Sequence, residues 1–250
     1  MIGYADDAFI TTTGVDLPSI IDLTEAGLKK VIEWGKNNCL SFNESKTSSI
    51  IFRKKLLKKL PRKVIMNNFA LEWAKSVTYL GVELDEKLTF NLHIQNKIKK
   101  AKRFLLKLRN SIGKVWGPTP MSLLLYAYKN MIIPSLAHGA IVWYKSCENA
   151  SIKKKLAQLN RLICSCLMPL RQSVPTSGLE TALNIMPLHL CMAKSALNTY
   201  VRVRKIVKPT WDQIGSNSKR GHLLRCQKDL SNLGITLVDE DRDFYLNIDR

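Results

Sequence analysis

Tyr4-Ala5-Asp6-Asp7 sets two adjacent carboxylates behind an aromatic residue within the first seven positions. Neighbouring carboxylates in a half-buried setting shift upward and neutralise unless something cationic sits beside them. Mg²⁺ is a natural partner, being a hard cation usually held by one or two carboxylates plus substrate phosphates. A pair of such ions can activate an attacking hydroxyl and stabilise a departing pyrophosphate. The plain alternative is an Asp-rich surface turn, and the tetrapeptide alone is a weak motif. A zinc site could be assembled on paper from Cys147, Cys164, Cys166, His189 and Cys191. Their C-x-C and H-x-C spacings lie in apolar, helix-like runs without paired C-x-x-C knuckles, so buried structural thiols are the better reading.

The second chemical signal is charge. Across 250 residues there are 39 Lys and Arg against 20 Asp and Glu, a net of +19. Such an excess points to a polyanionic partner, a nucleic acid before a membrane surface for a helical, aromatic-containing chain. Seven cations and no acid fall within residues 94–109: Lys97, Lys99, Lys100, Lys102, Arg103, Lys107 and Arg109. Ile94, Ile98, Ala101, Leu105 and Leu108 mark the opposite, apolar face of a helix there. A second run, Arg53 to Lys63, carries seven basic residues in eleven, with Pro61 arguing against a continuous helix.

The surrounding composition is that of a globular chain, 46 % hydrophobic. The apolar stretches Met131–Leu136 and Gly139–Tyr144 fall far short of the roughly 20 residues a bilayer span needs. No basic leader with an apolar run opens the sequence. The six scattered cysteines suit reduced thiols. The expected location is therefore nuclear or cytoplasmic, without a membrane partner.

Several elements must position these residues. AFITTT (8–13) after Asp6–Asp7 predicts strand, turn and strand, with both Asp at the tip. Pro18 near a start, then Ile21, Leu28, Val31 and Ile32, predicts a helix as far as Trp34, stopped by Asn37 and Asn38. Ser49–Phe52 reads as a short strand, VIMN and ALEW as a hairpin around Asn68–Phe69, and 77–84 as a strand interrupted by Gly81. Helices are predicted at 120–133, 150–167 and 188–206, separated by Pro118, Pro134, Pro169, Pro175 and Pro187. Trp116, Trp143 and Tyr144 read as core anchors, and His93 as a packing residue at the start of the basic helix.

The order of further motifs narrows the reading. After Tyr4–Asp7 stand N-x-L-S-F-N-x-x-K-T (Asn38 to Thr47), Y-L-G-V-x-L-D (Tyr79 to Asp85) and K-L-T-F-x-x-H-I (Lys87 to Ile94). WG-x-x-P (Trp116 to Pro120), P-x-L-x-x-G-A-x-V-W (Pro134 to Trp143) and R-x-x-V-P-T-x-x-L-E (Arg171 to Glu180) follow. This series resembles the reverse transcriptases of non-LTR retrotransposons, most like the jockey-type LINE elements, over roughly residues 2 to 205. The resemblance implies an α+β chain: a partial polymerase palm at 1–90 (antiparallel sheet with packed helix), a basic helical thumb at 91–148 and a helical linker at 149–206. Residues 207–250 form a weakly patterned tail.

On the same basis Asp6 and Asp7 match the catalytic carboxylates of a two-metal Mg²⁺ site, with Tyr4 and Ala5 beside the primer terminus. Asn43 and Lys46 match a loop near the nucleotide triphosphate, where an ammonium can assist departing pyrophosphate. Tyr79, Leu80 and Gly81 match a primer-gripping hairpin, and the seven cations of the basic helix would meet duplex phosphates without reading sequence. Read from the residues alone, Lys46 is a solvated loop cation and Tyr79-Leu80-Gly81 a strand kink; charge runs are usually solvated faces, but seven cations without a counter-charge over an apolar back favour phosphate contact. The implied partners are an RNA template, a DNA primer or their hybrid, and a deoxynucleoside triphosphate.

The family also uses a third carboxylate, from a strand upstream of the catalytic hairpin, and cationic fingers that bind the nucleotide. Met1–Gly3 cannot supply either, and Asp16, Asp22 and Asp85 lie in helix-start or loop contexts. The expectation is a fragment inactive alone, whose exposed sheet edge a missing N-terminal portion would cover. The alternative is a non-catalytic nucleic-acid-binding module that uses the basic helix.

Overall fold

The computed structural model describes residues 1–53, 60–115, 121–168, 173–206 and 222–234. Two compact units emerge, Met1–Tyr79 with Glu83–Leu88, and Leu80–Val82 with the chain from Thr89 onward.

The first unit is built on helix α1 (Leu17–Asn37). Asp16 caps it, its carboxylate accepting from the Ser19 backbone N–H at 3.0 Å and from the Ser19 hydroxyl at 2.7 Å. Such a cap satisfies one of the backbone N–H groups that the first turn leaves without a helical partner. Pro18 occupies the first turn, where its missing N–H costs nothing. Ile21, Leu28 and Ile32 form one stripe, buried against Val64, Met66 and Leu71 of a hairpin, with Ile10, Phe42 and Trp73 at the margin. That hairpin pairs β3 (Val64–Met66) with β4 (Phe69–Leu71) through Asn67 and Asn68, both at positive φ. Asn tolerates the left-handed geometry that a two-residue hairpin turn requires.

Glu25 of α1 ties the helix to the hairpin. It accepts from the Arg62 guanidinium at 2.7 Å and from the Ile65 backbone N–H at 3.0 Å. These bonds, Arg62 first, hold its carboxyl below the ordinary range. A lowered carboxylate stabilises the fold above its unfolded value, and that contribution fades as pH falls through the folded value. We expect Glu25→Gln to cost about 1 kcal/mol at pH 7. The difference from the parent chain should shrink in thermal melts as pH is taken below the ordinary carboxylate range; a gap that stays constant throughout would reject the linkage.

Where one antiparallel sheet was expected over residues 1–90, the described residues hold three separate two-stranded hairpins: β1 (Ile2–Tyr4) with β2 (Asp7–Phe9), β3 with β4, and β5 (Ser76–Tyr79) with β6 (Val82–Asp85). Several local readings need correction. Helix α1 runs to Asn37, not Trp34, and the β3–β4 hairpin turns at Asn67–Asn68, not Asn68–Phe69. The strand expected over 8–13 ends at Phe9. Ser49–Phe52 forms no strand, only a bridge from Ser49 to Trp73, because no neighbour continues the ladder. The run 77–84 is two strands, since Leu80 and Gly81 both take positive φ and reverse the chain.

The second unit is helical. It comprises α2 (Asn91–Val115), α3 (Met121–Ala127), α4 (Ile133–Ala137), α5 (Ala140–Trp143), α6 (Ala150–Leu167), α7 (Thr176–Ala182), α8 (Leu188–Ile206) and α9 (His222–Asn232). The core joins Ile94, Ile98 and Leu105 of α2, Leu156, Leu159 and Ile163 of α6, and Leu188, Met192 and Ala196 of α8, all buried. Pro134 was expected to separate helices, yet the helical path continues past it. A π-helical turn at Tyr128–Ile132 precedes α4, and the proline falls in the first turn of α4, where its missing N–H is tolerated. Trp143 and Tyr144 are buried anchors, and His93 lies edge-on to Trp143 with ring centroids 5.5 Å apart. Asp229 of α9 accepts from the Tyr144 hydroxyl at 2.8 Å and from Lys145 at 2.9 Å, docking α9 on this core. Trp116, most of the Arg53–Lys63 run and most of the tail lie outside the described residues.

Candidate nucleic-acid and metal-binding residues

In the hairpin β1–β2, Tyr4 pairs with Asp7 and Ala5–Asp6 form the turn. Asp6 is therefore at the tip, while Asp7 already belongs to β2, one position off the expected arrangement. Ala5 has φ 51°, a left-handed conformation that costs a non-glycine residue roughly 1–2 kcal/mol. Residues 1–8 are all exposed, so the half-buried setting expected for the carboxylates is not what the hairpin provides. The physical reason is that β1 and β2 pair only with each other, and no described layer covers Met1, Ile2 or Tyr4.

The two carboxylates fit one or two positions in the shell of a hard divalent cation. Among the described residues, no group of three or more His, Cys, Asp or Glu side chains forms a metal site. That holds for the thiols as well. Cys147 and Cys164 are buried, with burial pushing their thiols up to about 12 and about 11, whereas Cys166 and Cys191 are half-buried.

Sequence reasoning missed a contact that joins two of its candidate segments. Phe9 at the end of β2 stacks on Tyr79 at the end of β5, with ring centroids 4.9 Å apart and planes 29° from parallel. Offset stacking of this kind contributes about 1 kcal/mol beyond area burial. The hairpin that carries Asp6 and Asp7 is thereby held to the strand that leads into Leu80–Gly81. Only the aromatic alternation of the two strands could have signalled it.

Asn43 and Lys46 lie in an exposed loop after α1. Asn43 caps the 3₁₀ turn Glu44–Lys46, its side-chain oxygen accepting from the Lys46 backbone N–H at 3.2 Å and from the Ser45 hydroxyl at 2.7 Å. The Thr47 hydroxyl donates to the Asn43 carbonyl at 2.8 Å. The loop is thus a built turn that presents an exposed Lys46.

On α2 the seven cations divide. Lys99, Arg103 and Lys107 recur every four residues and, with Lys100 beside them, form one exposed stripe. Lys97 is half-buried and donates to the Ser135 carbonyl at 3.1 Å, which sets it apart from a face of seven equivalent phosphate ligands. Lys102 is half-buried and Arg109 exposed, on the other flank of the helix.

A chain with a carboxylate hairpin, an aromatic-locked second hairpin and a helical unit with a cationic stripe is the setting for its relatives. Its homologues are Pol polyproteins of non-LTR retrotransposons, as the motif series led us to expect. One, the retrovirus-related Pol polyprotein from type-1 retrotransposable element R1 of Nasonia vitripennis, is 24 % identical over 194 residues, 76 % of this chain and 57 % of its own length. The Bradysia coprophila protein of the same name is 22 % identical over 190 residues, 76 % of this chain and 19 % of its own length. A Drosophila melanogaster protein named "Probable RNA-directed DNA polymerase from transposon X-element" is 26 % identical over 174 residues, 65 % of this chain and 18 % of that protein. The chain thus spans from about a fifth to just over half of these relatives. No protein-family model matches it, and no solved structure matches it. No described helix is long and apolar enough to cross a membrane.

Proposed function

We propose that this chain is part of an RNA-directed DNA polymerase of a non-LTR retrotransposon, contributing to nucleotidyl transfer on an RNA template and DNA primer. Residues 1–90 are the palm portion, 91–148 the thumb, 149–206 the linker and 207–250 a tail. The observation that carries the reading is the exposed Asp6–Asp7 hairpin, stacked through Phe9 on Tyr79.

Asp6 and Asp7 would hold divalent cations such as Mg²⁺. The chemistry such ions supply when bound is activation of the primer hydroxyl and stabilisation of departing pyrophosphate. Tyr4 and Ala5 flank the primer terminus, and the turn capped by Asn43 aims the Lys46 ammonium toward the triphosphate as a source of positive charge or a proton. Tyr79, Leu80 and Gly81 bear on the primer strand. The stripe Lys99, Lys100, Arg103 and Lys107 takes duplex phosphates, with Lys102 and Arg109 at its flank and Lys97 supporting the helix from within.

Among the described residues no third carboxylate joins the pair, and two hold metal weakly, so the chain is expected not to extend primers. Template-dependent synthesis with Mg²⁺ or Mn²⁺ in a primer-extension assay would overturn that expectation. In a Mn²⁺ titration with template–primer present, Asp6→Asn together with Asp7→Asn should remove the bound ion and leave duplex affinity within about twofold, since phosphate contacts carry the affinity. Undiminished Mn²⁺ binding would reject the two carboxylates as ligands. The exposed stripe on α2 favours a second reading, duplex binding without catalysis, and Mn²⁺ binding that never depends on Asp6 and Asp7 would select it.

A further inference from the structure

The turn Leu80–Gly81 is left-handed at both residues, with φ of 47° and 77°. Glycine suits the second position, but leucine at the first needs surroundings that over-determine it. One side chain does so. His138, at the corner between α4 and α5, places Nε2 2.9 Å from the Leu80 carbonyl oxygen. The acceptor is a carbonyl, so Nε2 carries the proton and donates. The fit is close on both sides. A Cβ on Gly81 would lie 3.1 Å from His138 Nε2, and a Cβ on Gly139, itself at φ 66°, would lie 2.7 Å from Val82 Cγ2. The corner is in turn anchored in the core, because Trp143 donates from Nε1 to the His138 carbonyl at 3.0 Å and is fully buried.

We infer that His138 is the positioning residue of the Leu80–Gly81 turn, setting where that turn meets the primer strand. It stands at an unassigned place in the P-x-L-x-x-G-A-x-V-W motif, and no role falls to it from the residues that carry the proposed chemistry. The inference rests on the proposed function for its ligand, a primer strand paired to template. It rests on the hydrogen bond and the two glycine contacts for its geometry. His138 orients the turn and touches no reacting atom.

The test uses the full 250-residue chain and an RNA–DNA template–primer bearing a photoactivatable thymidine analogue at the primer 3′ end. Two quantities are read: amide hydrogen exchange at residues 80–82, and cross-linking yield to residues 79–81. His138→Ala should speed exchange at the turn about tenfold, the range a lost hydrogen bond predicts, and lower the cross-link by a similar factor. His138→Gln, which restores a side-chain N–H of comparable reach, should recover much of both. The Gln variant also keeps the test decisive if the Ala variant fails to fold. Unchanged exchange in both variants would overturn the hold on the turn. Faster exchange with an undiminished cross-link would overturn its bearing on the primer. If the parent chain binds the duplex yet yields no cross-link to residues 79–81, the primer role of the turn falls. The exchange data then still judge the His138 contact by itself.

Discussion

Replacing Lys99, Lys100, Arg103 and Lys107 by Glu is expected to lower affinity for an RNA–DNA hybrid at least about a thousandfold at low salt and to flatten its salt dependence. The four side chains are exposed on one stripe of α2, and from Lys99 to Lys107 they span about 12 Å along the helix axis. Each phosphate contact releases condensed counterions and adds about one to the slope of log affinity against log salt, so four lost contacts remove roughly three to four. Fluorescence anisotropy across a salt series measures both quantities. Lys97→Ala is the internal control. Its ammonium is committed to the Ser135 carbonyl, so it should lower stability with little change in slope. A slope unaffected by the fourfold reversal would remove α2 as the duplex-binding face.

The largest effect on stability is expected from Trp143→Ala, at about 3–5 kcal/mol in urea unfolding, the range for emptying a buried large aromatic site. Trp143 is 2 % exposed and faces His93, and it donates to the His138 carbonyl from the core side. Trp143→Phe separates the two contributions. It keeps much of the ring volume but leaves that carbonyl without its donor, a loss of about 1 kcal/mol. Near-equal costs for the two substitutions would show that the hydrogen bond, and not packing, dominates at this corner.

Much of this molecule was legible in the chain. Apolar residues at helical spacing placed α6 and α8 to the residue and the end of α1 to within three, because a stripe every three or four positions must be buried somewhere. Asp16 and Asn38 bound α1 through local hydrogen bonding, and Pro18 through its fixed φ, none of which needs a partner element. The likeness to retrotransposon Pol polyproteins was legible too, because an ordered series of short motifs is specific where identity to the relatives is only 24–26 %. Strands were read less well. Three-residue pairs carry too little alternation to mark their ends, and the reversal at Leu80–Gly81 looked like a kink because leucine rarely adopts positive φ.

The sequence by itself determined which residues are chemically distinctive: the Asp6–Asp7 pair, the Asn43–Lys46 loop and the cations of α2. Composition and periodicity are properties of the chain alone, and they survive any packing arrangement. Only the tertiary structure decided which of these residues act together. It set Phe9 against Tyr79, turned Lys97 inward to Ser135 while leaving Lys99 and Arg103 outside, and brought His138 to a carbonyl 58 positions away. Such choices depend on distances between elements remote in sequence, and burial in a shared core, not local preference, fixes those distances.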